Sequence, residues 1–227
     1  MTNARQVNPI YRDLIKRHPN YKMTSMRFLC KTPVHHLACG IFVERSSDAN
    51  CCWPRWSVTP LFVYRIFHYL ALGTIYENLS RPDTSADRFW HWSDPTMVSD
   101  LIEAIETTAM PKLSYYETVE SYATLPPETY GPLHEAPEDL MLVHIAMGEL
   151  DAARTIWQEQ DLWHQNWPRH PALRLRWLRE QLDAVAEPLH AGDRPALARI
   201  LHGWEAANVQ RTELERYWEP TPFPLEL

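Results

Sequence analysis

The stretch VHHLACGIFVERSSDANCCWPRWSVTPLFV, residues 34–63, decides the fold. It contains two apolar runs, residues 34–45 and 51–63, separated by the polar connection SSDAN. Both runs are rich in Val, Ile, Phe and Trp, which favour the pleated surface of a sheet. The pair therefore predicts an antiparallel β-hairpin. Because Pro54 and Pro60 have no amide hydrogen to donate, they predict that the second strand lies at a sheet edge or contains bulges.

A third strand and then a helical region follow the hairpin. Residues 66–76 are mainly apolar and predict a further strand, although the run LAL at residues 70–72 also fits a helix. From Asp94 onward apolar residues recur at i, i+4 spacing, and Asp94-Pro95 supplies an N-cap followed by a first-turn proline. The chain is therefore expected to change from sheet to helices close to residue 93.

Two segments of the helical region share one pattern. GELDAARTI at residues 148–156 and GDRPALARI at residues 192–200 both begin with glycine and an acid, with alanine in fifth place and isoleucine in ninth. Glycine ends a helix in the left-handed conformation, the acid caps the next helix, and alanine lets the two helices approach. Each segment predicts the turn of an antiparallel αα-hairpin. The sequence EPTPFP, residues 219–224, predicts an extended tail across the surface.

Together these elements predict an α+β fold. An antiparallel sheet of three or four strands lies in residues 1–93, and a helical part built of antiparallel αα-hairpins lies in residues 94–227. The two parts are expected to form one compact unit. A chain of 227 residues buries roughly 70% of its unfolded surface, so it needs neither a disulfide nor a metal ion for stability.

Several catalytic and cofactor-binding motifs are absent from the sequence. The closest pair among its six glycines, Gly192 and Gly203, is eleven residues apart, which excludes the glycine-rich loops that bind dinucleotides and nucleotide phosphates. G-x-S-x-G, H-E-x-x-H and C-x-x-C are also missing. We therefore expect no catalytic residue, no metal site and no cofactor. The four cysteines follow an N-terminus without an apolar leader, so they are expected to be reduced in a cytoplasmic protein.

Charge is unevenly distributed along the chain, whose formal net charge is −7. Residues 94–161 hold fourteen Asp and Glu but only Lys112 and Arg154, a balance of −12. Such a segment is expected to form a continuous, outward-facing negative surface that attracts a cationic protein and repels nucleic acid. No membrane contact is expected, because Arg65 and His68 interrupt the longest apolar run.

Aromatic residues lie within this acidic segment and at its end. Tyr and Trp dominate binding hot spots, while surrounding charges steer association. The combination predicts a partner-binding surface. Its candidate residues are Glu117, Glu120, Tyr116, Tyr130, Glu138, Asp139, Asp161, Trp163 and Trp167.

Three stretches carry a resemblance to known proteins. GIFVERS at residues 40–46, Trp56 with PLFV at residues 60–63, and LALG at residues 70–73 resemble a pattern in uncharacterised bacterial proteins of the domain-of-unknown-function kind. GELDAA at residues 148–153 is similar to the helical half of those proteins. Small acidic α+β proteins of this kind also resemble immunity proteins of bacterial toxin systems. The resemblance implies a class of function and no active-site residues.

These observations predict a non-enzymatic binding protein. The leading hypothesis is an immunity protein that occludes a secreted or contact-delivered toxin through the acidic, aromatic-containing surface. One alternative is an enzyme of unknown class with a His/carboxylate cleft between sheet and helices. Another is an adaptor or chaperone whose helical hairpins bind peptides in a groove.

Overall fold

The computed structural model describes residues 2–24, 28–63, 75–81, 90–124, 137–166 and 173–227, and of residues 160–166 and 173–179 it describes the backbone alone. The chain divides into two compact units. The first contains Met1–Pro60, Tyr69–Glu117 and Glu213–Glu219, and the second contains Leu61–His68, Thr118–Thr212 and Pro220–Leu227. The fold class is α+β, as predicted.

The first unit is organised around one antiparallel sheet. Its strand order is β1-β2-β3-β4-β5, and β6 pairs with β4 as well. The three or four predicted strands are fewer than the six found in the described residues, because β1 and β6 are too short to leave a pattern. The strands are β1 (Tyr21–Met23), β2 (Phe28–Lys31), β3 (Leu37–Arg45), β4 (Cys51–Pro60), β5 (Ile75–Asn78) and β6 (Trp90–His91).

The predicted hairpin is confirmed as β3 and β4. They pair without interruption from Leu37 opposite Pro60 to Arg45 opposite Cys52. Of the predicted strand at residues 66–76, only the end that belongs to β5 lies inside the described residues.

The predicted edge position of the second strand is wrong, because β4 has β3 on one side and β5 and β6 on the other. The Leu79 amide donates to the Pro54 carbonyl at 2.9 Å, so the backbone of Pro54 faces the side of β5 and β6. There Pro54 falls between Cys52, which pairs with β6, and Arg55, which pairs with β5. The missing N–H of Pro54 therefore removes no hydrogen bond from the pairing of β4 with β5 and β6.

Two helices of the first unit lie beyond residue 93, where the helical part was predicted to begin. They are α1 (Ala4–Arg17), α2 (Met97–Ala104) and α3 (Met110–Tyr115), and α2 joins α3 through a π-helical turn, Ile105–Ala109. Helices α2 and α3 belong with the sheet instead of the second unit because α3 packs against β4. Asn3 begins α1 with a capping box.

The second unit contains the predicted αα-hairpins. Gly148 and Gly192 end the first helix of each hairpin with φ of 78° and 68°, the left-handed region that favours glycine. Asp193 caps the helix after Gly192 by accepting from the Ala196 amide at 2.9 Å. The helices of this unit are α4 (Val119–Ala123), α5 (Pro137–Met147), α6 (Leu150–Asn166), α7 (Leu173–Ala191) and α8 (Arg194–Thr212).

The C-terminal residues follow the predicted extended path only in part. Residues 219–222 form no regular element and are exposed or half-buried, whereas Phe223 and Leu225 are fully buried, and Pro224–Glu226 forms a single 3-10 turn that contacts α5 and α8. The apolar side chains on either side of Pro224 are drawn into the core of the second unit.

Gly40 marks the closest approach within the sheet. A Cβ atom at this position would lie 2.5 Å from both the Leu29 carbonyl oxygen and Cζ of Phe28, whereas one on Gly203 in α8 would meet nothing within 4 Å. We therefore expect Gly40→Ala to lower the free energy of unfolding by about 3 kcal/mol through overpacking. Gly203→Ala should raise it by up to about 1 kcal/mol, since alanine favours helix.

Urea unfolding followed by circular dichroism measures both changes. Equal effects of the two substitutions would contradict the close packing of β2 on β3.

Candidate functional site

A stack of three aromatic rings runs from the core of the first unit to its surface, at the end of α3. The Trp56 ring is 2% exposed and lies parallel to that of Tyr116, with the centroids 6.2 Å apart. The Tyr115 ring stands edge-on to Tyr116 at 4.8 Å and is 61% exposed. These three residues, hereafter the aromatic stack, present an exposed tyrosine on a base buried in the sheet.

Two ion pairs flank the aromatic stack. Lys31 Nζ bonds the Glu117 carboxylate and also Ser114 Oγ at 3.0 Å. Lys112 Nζ bonds the Glu77 carboxylate and lies 5.3 Å from the Trp56 ring centroid, within range of a cation–π interaction.

In both pairs the carboxylate is the more exposed partner. The Glu117 side chain is 50% exposed against 16% for Lys31, and Glu77 is 54% exposed against 39% for Lys112. Solvent therefore reaches the glutamate side chains more than it reaches the lysine side chains.

The polar groups beneath the stack do not ionise near neutral pH. Burial raises the pKa of the Tyr116 hydroxyl, with smaller contributions from Tyr115 and Glu77. The Cys39 thiol donates to the Tyr116 carbonyl at 3.4 Å, and burial raises its pKa to about 12. The charge of the site therefore comes from the two lysines and the two carboxylates that pair with them.

The structure divides the predicted partner-binding residues between the two units. Tyr116 and Glu117 belong to the first unit. In the second unit, Glu120 is exposed on α4, and at the start of α5 Glu138 is half-buried and Asp139 is buried. Asp161 and Trp163 belong to the end of α6, where the structure describes the backbone alone. Tyr130 and Trp167 lie outside the described residues.

The expectation of an unbroken outward negative surface is wrong, because several carboxylates of residues 94–161 are bound to side chains of this chain. A single arginine, Arg81, binds both Asp94 and Asp100, each at 2.5 Å. The pKa of Asp94 is lowered first by the bond from the Thr96 amide and then by Arg81, and the pKa of Asp100 is lowered first by Arg81 and then by the Thr96 hydroxyl. Further examples among the described residues are Glu106 with Arg17 and His18, Glu117 with Lys31, Glu149 with His144, and Asp151 with Arg154.

A second cluster, which the sequence did not indicate, lies at the turn between β3 and β4. Cys51 Sγ lies 3.2 Å from His91 Nδ1 and donates to Asp48 Oδ2 at 3.4 Å. The bond from the Asn50 amide lowers the pKa of Asp48, and the Cys51 bond adds to this effect. Register between β4 and β6 creates the cluster, since it places Cys51 opposite His91.

Neither cluster forms a metal site. Within the part of the chain that the structure describes, no group of three or more His, Cys, Asp or Glu residues is arranged to hold a metal ion. The described helices also include none with the length and apolar character needed to cross a membrane.

Comparison with protein-family models, with curated proteins and with solved structures finds no match to this chain in any of the three. Any function must therefore be inferred from its own residues.

The geometry predicts that Cys51 is the most reactive thiol of the native protein. All four thiols are buried, and burial raises the pKa of Cys30, Cys39 and Cys52. Cys51 differs from them because an imidazole nitrogen lies beside it and because it follows four exposed residues, 47–50. Thiolate is the reactive form, and a small opening of the turn admits reagent. With iodoacetamide, we expect Cys51 to be alkylated first.

Peptide mass spectrometry over time measures this order. His91→Gln should slow the alkylation of Cys51 several-fold, whereas His35→Gln should not, since His35 bonds the Glu219 carbonyl instead. Faster labelling of any of the three other cysteines would show that the contact with His91 does not activate Cys51.

Proposed function

We propose that this chain is a non-enzymatic, cytoplasmic binding protein that inhibits a basic protein domain, as an immunity protein inhibits its toxin. The partner binds at the aromatic stack and the two flanking carboxylates, Glu77 and Glu117. The observation that carries the proposal is the position of Tyr115, which is exposed but rests on rings anchored in the sheet.

An anchored tyrosine suits a binding hot spot for a physical reason. Protein association costs roughly 0.5–1.5 kcal/mol for each flexible side chain that becomes immobilised. Tyr115 has two side-chain torsions and already packs edge-on against Tyr116, so much of that ordering is present before a partner arrives. Burial of the exposed ring then contributes directly to affinity.

The flanking charges favour a basic partner. Because Glu77 and Glu117 face solvent more than their lysines do, an approaching Lys or Arg meets carboxylates first. The net charge of −7 adds attraction at longer range. Both effects weaken as salt screens exposed charges beyond about 10 Å at 0.1 M.

The test uses a toxin domain encoded by a neighbouring reading frame. Wild-type protein should protect cells that express the domain, and the purified pair should bind. Tyr115→Ala should weaken binding by about 2 kcal/mol, roughly thirtyfold in affinity, as expected when a hot-spot residue is truncated. Glu117→Gln should mainly slow association and reduce its dependence on salt.

Tyr76→Ala is the matched control. Tyr76 is also an exposed tyrosine of the first unit, but it pairs with Ser57 and so lies on the opposite face of the sheet from Trp56. An equal loss of binding in Tyr76→Ala and Tyr115→Ala would contradict the proposed site. Absence of protection and of binding by the wild type would contradict inhibition of this partner.

The same assay separates the two other hypotheses. An enzyme would protect at amounts far below those of the toxin, whereas an occluding protein needs at least one copy for each toxin molecule. A peptide-binding adaptor would bind unfolded segments of the domain as well as the folded form.

A further inference from the structure

His202 on α8 is bonded to a carboxylate through each of its two ring nitrogens. Nδ1 lies 3.2 Å from Glu205 Oε2, and Nε2 lies 2.9 Å from Glu226 Oε2. Glu205 follows on the same helix and is fully buried, and Glu226 belongs to the C-terminal turn. The ring therefore bridges α8 to the C-terminal residues.

With both carboxylates ionised, this geometry fits a charged imidazole. A carboxylate at neutral pH only accepts hydrogen bonds, and both ring nitrogens donate at once only in the imidazolium form. In agreement, the pKa of His202 is raised above its ordinary value, chiefly by the Glu205 bond and also by the Glu226 bond, although partial burial opposes the shift.

The C-terminal residues depend on the same bridge. The Glu226 carboxylate accepts from the Phe223 amide at 2.8 Å as well as contacting His202. The Phe223 ring lies 4.7 Å from the His202 ring and 5.5 Å from that of Phe62. Loss of the charge on the His202 ring thus weakens its bond to Glu226, the residue that also binds the Phe223 amide.

Other charged groups lie near the turn. Arg194 donates to the Leu225 carbonyl of the turn itself at 3.0 Å and to the Gly148 carbonyl at 3.2 Å. Helix α5, which packs on the turn, carries His144, whose Nδ1 bonds Glu149 at 2.7 Å, and the buried Asp139. Of these groups, His202 is the one that contacts both Glu205 and Glu226 directly.

We propose that Pro220–Leu227 is a pH-controlled latch, closed while His202 is imidazolium and released when the ring loses its proton. Release withdraws Phe223 and Leu225 and uncovers the apolar surface that they fill. The latch lies in the second unit and does not require the binding function proposed for the first.

The direction of the pH effect follows from the raised pKa. A histidine whose pKa is higher in the docked state stabilises that state fully below its ordinary pKa of about 6.5. The contribution disappears as pH rises through the raised value. After deprotonation one ring nitrogen presents a lone pair to a carboxylate, so attraction becomes repulsion at Glu205 or Glu226.

Fluorine NMR with 4-fluorophenylalanine at position 223 measures the latch directly. The wild-type signal should report a buried ring at pH 5.5 and a solvated ring at pH 9.5, with a midpoint above 6.5. In His202→Gln, which carries no titrating ring, the signal should become independent of pH. Glu226→Gln should increase the solvated fraction of the ring at pH 5.5, because an amide oxygen binds the imidazolium less strongly than a carboxylate does.

His144→Gln is the matched control, since it removes the nearest histidine on α5 and should leave the midpoint unchanged. A wild-type signal that does not change between pH 5.5 and 9.5 overturns the latch, as does a transition that persists in His202→Gln. Should His202→Gln fail to fold, the wild-type titration and Glu226→Gln decide the question. Circular dichroism at each pH distinguishes release of the latch from unfolding of the whole unit.

Discussion

The pairing of β3 with β4 is the constraint on which the aromatic stack depends. Its register puts Trp56 opposite Ile41, and β5 in turn puts Glu77 opposite Trp56, all on the face that receives α3. A slip of one residue would turn Trp56 to the other face and leave Tyr116 without its base. Gly40 allows β2 to pack closely on the other side of β3, where a Cβ atom would meet the Leu29 carbonyl and the Phe28 ring.

How well each element was predicted follows from how locally it is determined. The hairpin was predictable because each of its strands is about nine residues long and rich in residues that favour a sheet. The turns between helices were predictable because the left-handed conformation favours glycine. Strand β6 has two residues and is defined only by its partner, so no local pattern marks it. The interior position of Pro54 was equally hidden, since it depends on where β5 ends and β6 begins.

The candidate site was partly predictable from composition. Tyr116 and Glu117 were identified because aromatic and acidic residues are interleaved there. Composition counts charges without their partners, however, and the cations come from distant elements: Lys31 is 86 residues from Glu117. The negative balance of residues 94–161 therefore overstated the outward field, while the direction in which each ion pair faces could only be learned from the structure.

The two candidate regions use charge differently. At the aromatic stack the charges belong to two lysine–carboxylate pairs, whereas the bridge to the C-terminal turn runs through a histidine, the side chain whose charge most readily changes near neutral pH. At the C-terminus, prolines at 220, 222 and 224 restrict the free tail, so docking costs little backbone entropy. Protonation of His202 shifts the balance towards the docked state, and each change of about 1.4 kcal/mol in that balance alters the ratio of docked to released chains tenfold.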